Sequence, residues 1–110
     1  MKLKAQIESI EDEIIEIRRD FHMNPELSNE EFRTMDKICQ YLDTWGIEHI
    51  KNVAGTGVVA IIRGAKPGKT VGLRADIDAL PIQEKNDVAY RSLKPGIMHA
   101  CGHDIHMSVL

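Results

Sequence analysis

The chain has 110 residues, the length of one ordinary domain, with 43% hydrophobic and 28% charged residues, a composition that folds rather than staying disordered. Its net charge of −3 and pI near 5.9 argue against electrostatic binding of nucleic acid or an anionic membrane surface. Only two cysteines occur, Cys39 and Cys101, so a disulfide framework is not expected and a reducing cytoplasm fits. No apolar run approaches the ~20 residues that span a bilayer, and the charged N-terminus lacks a signal-peptide core.

Residues 3–22 read as one amphipathic helix, with Ile7, Ile10, Ile14, Ile15 and Ile17 largely on one face. Asn24-Pro25 ends it, because the residue before proline disfavours the α region. Ser28 and Glu31 have the spacing of a capping box, and a second helix is predicted to run to about Trp45. Its apolar stripe is Phe32, Met35, Ile38, Cys39, Leu42 and Trp45, which makes Cys39 a core thiol, and Gly46 is a natural stop.

After Gly46 the pattern changes. Residues 47–53 read as a short strand, with His49 on its surface, and Ala54-Gly55-Thr56-Gly57 as a turn. Residues 58–63 (VVAIIR) form a nearly continuous apolar run, the pattern of a strand covered on both faces. Residues 64–69 have turn chemistry, and residues 70–76 read as the next strand. The connection is too short for a crossover, so an antiparallel hairpin of 58–63 with 70–76 is predicted. Residues 81–97 carry Pro, Asn, Asp and Gly without clear periodicity and read as a long loop, of a length that is often functional. Residues 104–110 read as the first turns of a helix that stops at a poor natural end, which suggests a chain that continues.

Two segments carry chemistry. Asp76 and Asp78, two residues apart in an extended stretch, point to the same side and converge on one site, or else they are turn-forming aspartates at a solvated strand end. The second segment is MHACGHDIH, Met98 to His106, which holds His99, Cys101, His103, Asp104 and His106. A thiolate and an imidazole two residues apart reach one small cation, and the remaining groups bind a second ion or orient the first ligands. A zinc-ribbon reading needs a second ligand pair that is absent, and a dithiol redox reading needs a Cys-x-x-Cys that is also absent. A cysteine nucleophile with His99 or His103 as base is possible but leaves the density of ligand-type residues unexplained. A metal site completed by residues outside the chain explains it better. His22, just before Asn24-Pro25, reads as a histidine at a helix terminus.

Four stretches in order match one family. They are Arg18-Arg19-Asp20-Phe21-His22 with Pro25-Glu26-Leu27; Gly55-Thr56-Gly57; Leu73-Arg74-Ala75-Asp76-Ile77-Asp78-Ala79-Leu80-Pro81; and Met98-His99-Ala100-Cys101-Gly102-His103-Asp104 with His106. Across nearly its whole length the chain resembles the N-terminal part of the N-acyl-amino-acid amidohydrolases. That group includes aminoacylases, hippurate hydrolases, N-acetyldiaminopimelate deacetylases and auxin-conjugate hydrolases. The resemblance implies an α/β fold in which two N-terminal helices are followed by β-strands. Residues 1–110 would be the N-terminal portion of a two-layer or three-layer metallohydrolase catalytic domain. The rest of that domain and a lid or dimerisation domain would lie outside the chain, since family members are roughly three to four times longer.

It also implies two divalent metal ions (Zn, Mn, Co or Ni), with Cys101 and His103 as the two ligands supplied here. A Glu, two further His and a general-base Glu would come from downstream. Asp78 would stand near the metals as a supporting, orienting residue. Asp76 departs from the His ligand found at its position in related peptidases, and the resemblance gives His22, His99 and His106 no role. The implied reaction is metal-dependent hydrolysis of the amide bond of a small N-acyl amino acid, with a homo-oligomer for the full-length protein. The isolated chain would be inactive and prone to self-associate. A non-enzymatic metal-binding or interaction module of natural length is the alternative.

Overall fold

The computed structural model describes residues 2–110. Its elements in chain order are α1 (Lys2–Glu8), α2 (Glu11–Met23), α3 (Phe32–Thr44), β1 (Glu48–Val53), β2 (Gly57–Ile61) and α4 (His103–Val109). The helices-then-strands α/β order expected from the sequence is present.

The expected first helix is divided. At Ser9 the hydroxyl donates to the Gln6 carbonyl at 2.7 Å, and the Ile10 amide bonds back three residues to Ile7. Ile10 itself leaves helical geometry at φ −113°, ψ 3°. Glu11, Asp12 and Glu13 then open α2, where negative charge suits the N-terminal end of the helix dipole. The apolar stripe does not bury as a unit. α1 has no buried residue, and Ile7, Ile10 and Ile15 are exposed, whereas Ile17 and Phe21 enter the core with Met35 and Cys39 of α3.

α3 starts later than the capping-box pattern implies, and a different carboxylate caps it. Glu26, upstream of the helix, accepts the Arg33 and Thr34 amides at 3.1 and 2.6 Å and the Thr34 hydroxyl at 2.7 Å. Ser28 is exposed, and Glu31 instead accepts the Thr56 hydroxyl at 2.5 Å, tying α3 to the β1–β2 turn. Phe32 and Trp45, expected on the buried stripe, are exposed, with Trp45 stacked on Tyr41. The helix stops where predicted. Gly46 adopts φ +67°, the Ile47 amide reaches the Leu42 carbonyl and the Gly46 amide the Asp43 carbonyl, which is a Schellman motif.

The hairpin partner differs from the expectation. β2 pairs antiparallel with β1, Glu48 opposite Ile61 and Ile50 opposite Val59, with an irregularity between Ile50 and Val53. The turn needs left-handed backbone at Asn52, Ala54 and Gly55, which the short side chains and the glycine tolerate. A side chain at Gly57 would meet the Val53 carbonyl oxygen at 2.6 Å, so the close approach requires glycine there. Residues 70–76 form no strand among the described residues, and Val71 and Leu73 stand out in solvent. β2 is not covered on both faces, since Val59 and Ala60 are exposed. An extended segment without a neighbour has no ladder in which to satisfy its backbone groups.

Residues 81–97 form an irregular loop, as predicted. Its ends are fixed: Leu80 and Met98 exchange both backbone hydrogen bonds, at 2.9 and 3.0 Å. The Ala79 amide donates to the Glu26 carbonyl at 2.8 Å. These two bridges bring the Asp78 segment and the Met98–His103 loop side by side next to the α2–α3 connection.

Candidate metal centre

His103 opens α4, one residue after Gly102, whose φ of +103° turns the chain into the helix. Its Nδ1 lies 2.9 Å from the Asp78 carboxylate Oδ1 and 2.9 Å from the Asp78 carbonyl oxygen. Both neighbours only accept, so Nδ1 is the protonated nitrogen and a neutral His103 keeps its lone pair on Nε2. Nε2 makes no hydrogen bond among the described residues, its nearest charged neighbour being Asp76 Oδ2 at 4.0 Å. The ring is thus held as a metal-binding histidine commonly is, with a carboxylate behind it and a free nitrogen in front.

Asp76 and Asp78 do not converge equally. Asp78 faces His103, whereas Asp76 is turned to Arg74, which donates to its Oδ1 from Nη2 at 2.8 Å and Nε at 3.2 Å. That hydrogen bond and the guanidinium charge hold the Asp76 carboxyl below the usual carboxylate range. Cys101 is a free, exposed thiol beside a cavity of about 510 Å³. His106 is also exposed.

Behind the loop lies a buried polar cluster that the sequence did not disclose. His22, 3% exposed, sits between two carboxylates. Nδ1 is 2.8 Å from Asp104 Oδ2, and Nε2 is 3.0 and 3.1 Å from the Glu84 oxygens. Arg18 Nε donates to the same Asp104 oxygen at 2.9 Å. Glu84 also accepts the Ser92 amide at 2.6 Å and the Asn86 side-chain amide at 3.0 Å. Burial alone would raise the Glu84 carboxyl, but the bonds from His22, Ser92 and Asn86 and the charge of His22 outweigh it and hold it at about 2. Tyr90 closes the cluster, its ring edge-on to His22 and beneath the Arg18 and Arg19 guanidinium groups.

His99 is 4% exposed, and among the described residues neither ring nitrogen has a hydrogen-bond partner. Burial, only partly offset by the Asp104 charge, lowers it to about 4 and leaves the imidazole neutral near pH 7. The donors fit part of a metal site and do not complete one. No group of three His, Cys, Asp or Glu side chains placed to hold an ion occurs among the described residues.

The model of peptidase family M20/M25/M40 matches residues 72–110, the stretch that carries Asp78, Cys101 and His103. The chain is 53% identical over 110 residues to thermostable carboxypeptidase 2 of Saccharolobus solfataricus and 50% identical over 109 residues to the putative amidohydrolase YhaA of Bacillus subtilis. Over residues 72–110 the chain is similar to the peptidase M20/M25/M40 family. Each of these two alignments covers 99% of this chain and 28% of the relative, so the chain spans just over a quarter of the length of these relatives. The crystal structure of the Bacillus subtilis YXEP protein, described as a dinuclear metal-binding peptidase of the M20 family, superposes with a TM-score of 0.87 at 43% identity. That match covers 92% of this chain and 28% of the other. Among the described residues, no helix is long and apolar enough to cross a membrane.

Proposed function

We propose that this chain supplies the first two ligands, Cys101 and His103, of a divalent metal centre in a hydrolase that cleaves the amide bond of small N-acyl amino acids. The observation that carries the reading is the His103 environment, in which Asp78 fixes the proton on Nδ1 and leaves Nε2 free. Residues 1–110 are, on this reading, the N-terminal portion of the catalytic domain. The remaining ligands and the general base come from further polypeptide, and the isolated chain is inactive. Two ions, as named for the YXEP relative, fit a loop offering one thiolate and one imidazole within three residues. Zinc, cobalt, nickel and manganese all accept such donors to differing degrees.

When bound, the metal pair supplies an acidified water and polarises the amide carbonyl. The chain's own residues do the positioning. Asp78 keeps the His103 ring in one tautomer and orientation. The Leu80–Met98 bridge holds the loop against the Asp78 segment. The two thiols are unpaired, which suits the cytoplasm, and the substrate-bearing form is proposed to be a homo-oligomer.

The test is release of free amino acid from a panel of N-acetyl and N-benzoyl amino acids and dipeptides by the full polypeptide its gene encodes. Hydrolysis that a chelator abolishes and added divalent metal restores is expected. Activity that survives chelation but is lost on alkylating Cys101 would establish a cysteine nucleophile instead. No hydrolysis with metal present would favour a binding module.

A further inference from the structure

We propose that His22 is a positioning residue for the metal-binding loop, its imidazole locking the Asp104 carboxylate to α2 and thereby fixing where Cys101 and His103 stand. The inference rests on the reading of Cys101 and His103 as ligands. α4 docks onto the body in an unusual way. Its only buried residue is Asp104, while Ile105, Val109 and Leu110 are exposed. The helix therefore has no apolar stripe holding it against α2. What holds it is Asp104, 1% exposed and next in sequence to His103, bonded to His22 Nδ1 at 2.8 Å and Arg18 Nε at 2.9 Å.

His22 is itself immobilised from the other side by Glu84, 2% exposed, which the Ser92 amide and Asn86 hold in turn. Each ring nitrogen of His22 thus faces a carboxylate, Asp104 at 2.8 Å from Nδ1 and Glu84 at 3.0 Å from Nε2. The result is a rigid strut from the 81–97 loop through α2 to the first turn of α4. On the other flank of the metal-binding loop the anchors are the Leu80–Met98 bridge and the Asp78–His103 bond. A loop pinned at both ends presents its ligands in one geometry, which is what an outer support contributes to metal affinity.

The two halves of the strut can be separated by substitution in the full polypeptide. In His22→Asn the side-chain amide nitrogen takes the place of Nδ1 and keeps the Asp104 bond. In His22→Gln it takes the place of Nε2 and keeps only the Glu84 bond. Cobalt(II) affinity and the thiolate-to-cobalt absorption band are the readouts, with unfolding of the metal-free protein measured alongside. We expect His22→Asn to bind cobalt within about threefold of the unsubstituted protein with the band unchanged. His22→Gln should bind about tenfold or more weakly with the band shifted. Glu84→Gln, which leaves an acceptor for His22 and does not touch Asp104, should match the unsubstituted protein. Equal affinity and identical bands in the Asn and Gln variants would overturn the proposal, as would equal losses in both. A band that persists in Cys101→Ser would show instead that the ligand assignment is wrong.

Discussion

Replacing Asp78 with alanine tests the support behind His103. The side chain lies 28% exposed, so the substitution removes little packing. It deletes the Oδ1 acceptor at 2.9 Å from Nδ1 but leaves the main-chain carbonyl of the same residue, also at 2.9 Å. Losing an outer partner of a metal-bound histidine weakens binding about 10- to 100-fold. Because one of the two acceptors survives, the loss should sit at the lower end, about tenfold or about 1.4 kcal/mol. Asp78→Asn retains a neutral acceptor and should lose about threefold. Competition with a chromophoric chelator measures both in the full polypeptide. Unchanged affinity in Asp78→Ala would refute the supporting role. A loss beyond about a thousandfold would refute it differently, by showing that Asp78 contacts the metal itself.

Glu26→Ala strands the buried Thr34 amide and hydroxyl together with the Arg33 amide, and should cost about 2–4 kcal/mol in urea unfolding followed by helical circular dichroism. Glu26→Gln should recover most of it, and a cost under about 0.5 kcal/mol would remove Glu26 as the cap of α3. Glu84 has a folded-state value depressed from 4.5 to about 2, so its contribution is fully present above about pH 4.5 and is lost as pH falls toward 2. The full shift corresponds to about 3 kcal/mol, the upper bound of the expected effect. Equal loss of stability between pH 5 and 2 in Glu84→Gln would contradict this. The isolated chain exposes Ile62, Val71 and Leu73 at 77–81%, and should self-associate in light scattering, whereas a concentration-independent monomer would count against an uncovered apolar face.

What the sequence discloses depends on whether local chemistry decides the outcome. The stop at Gly46 was legible because a left-handed residue at a helix end almost demands glycine. The Met98–His106 run was legible by its density of ligand-type side chains. The Asp78–His103 contact joins residues 25 apart, which spacing alone does not disclose. The break at Ser9–Ile10 was hidden, because the isoleucine stripe runs through it with neither glycine nor proline. The strand at 70–76 was mistaken because β-forming side chains express their preference only beside a neighbouring strand. Ser28 and Glu31 had capping-box spacing, yet it is Glu26 that accepts the amides of the first turn, a contact between residues seven and eight apart that no local pattern marks. Glu84 gave no signal. It is one acid in an unpatterned loop, and only the fold brings it against a histidine 62 residues away.

The central claim is that Cys101 and His103 bind metal directly. X-ray absorption fine structure at the zinc or cobalt edge, on the metal-loaded full polypeptide, tests it. A single sulfur scatterer at about 2.3 Å together with imidazole nitrogen at about 2.0–2.1 Å is expected, with the sulfur lost in Cys101→Ser and imidazole scattering reduced in His103→Ala. A first shell of oxygen and nitrogen alone in the unsubstituted protein, or a sulfur shell that survives Cys101→Ser, would contradict it.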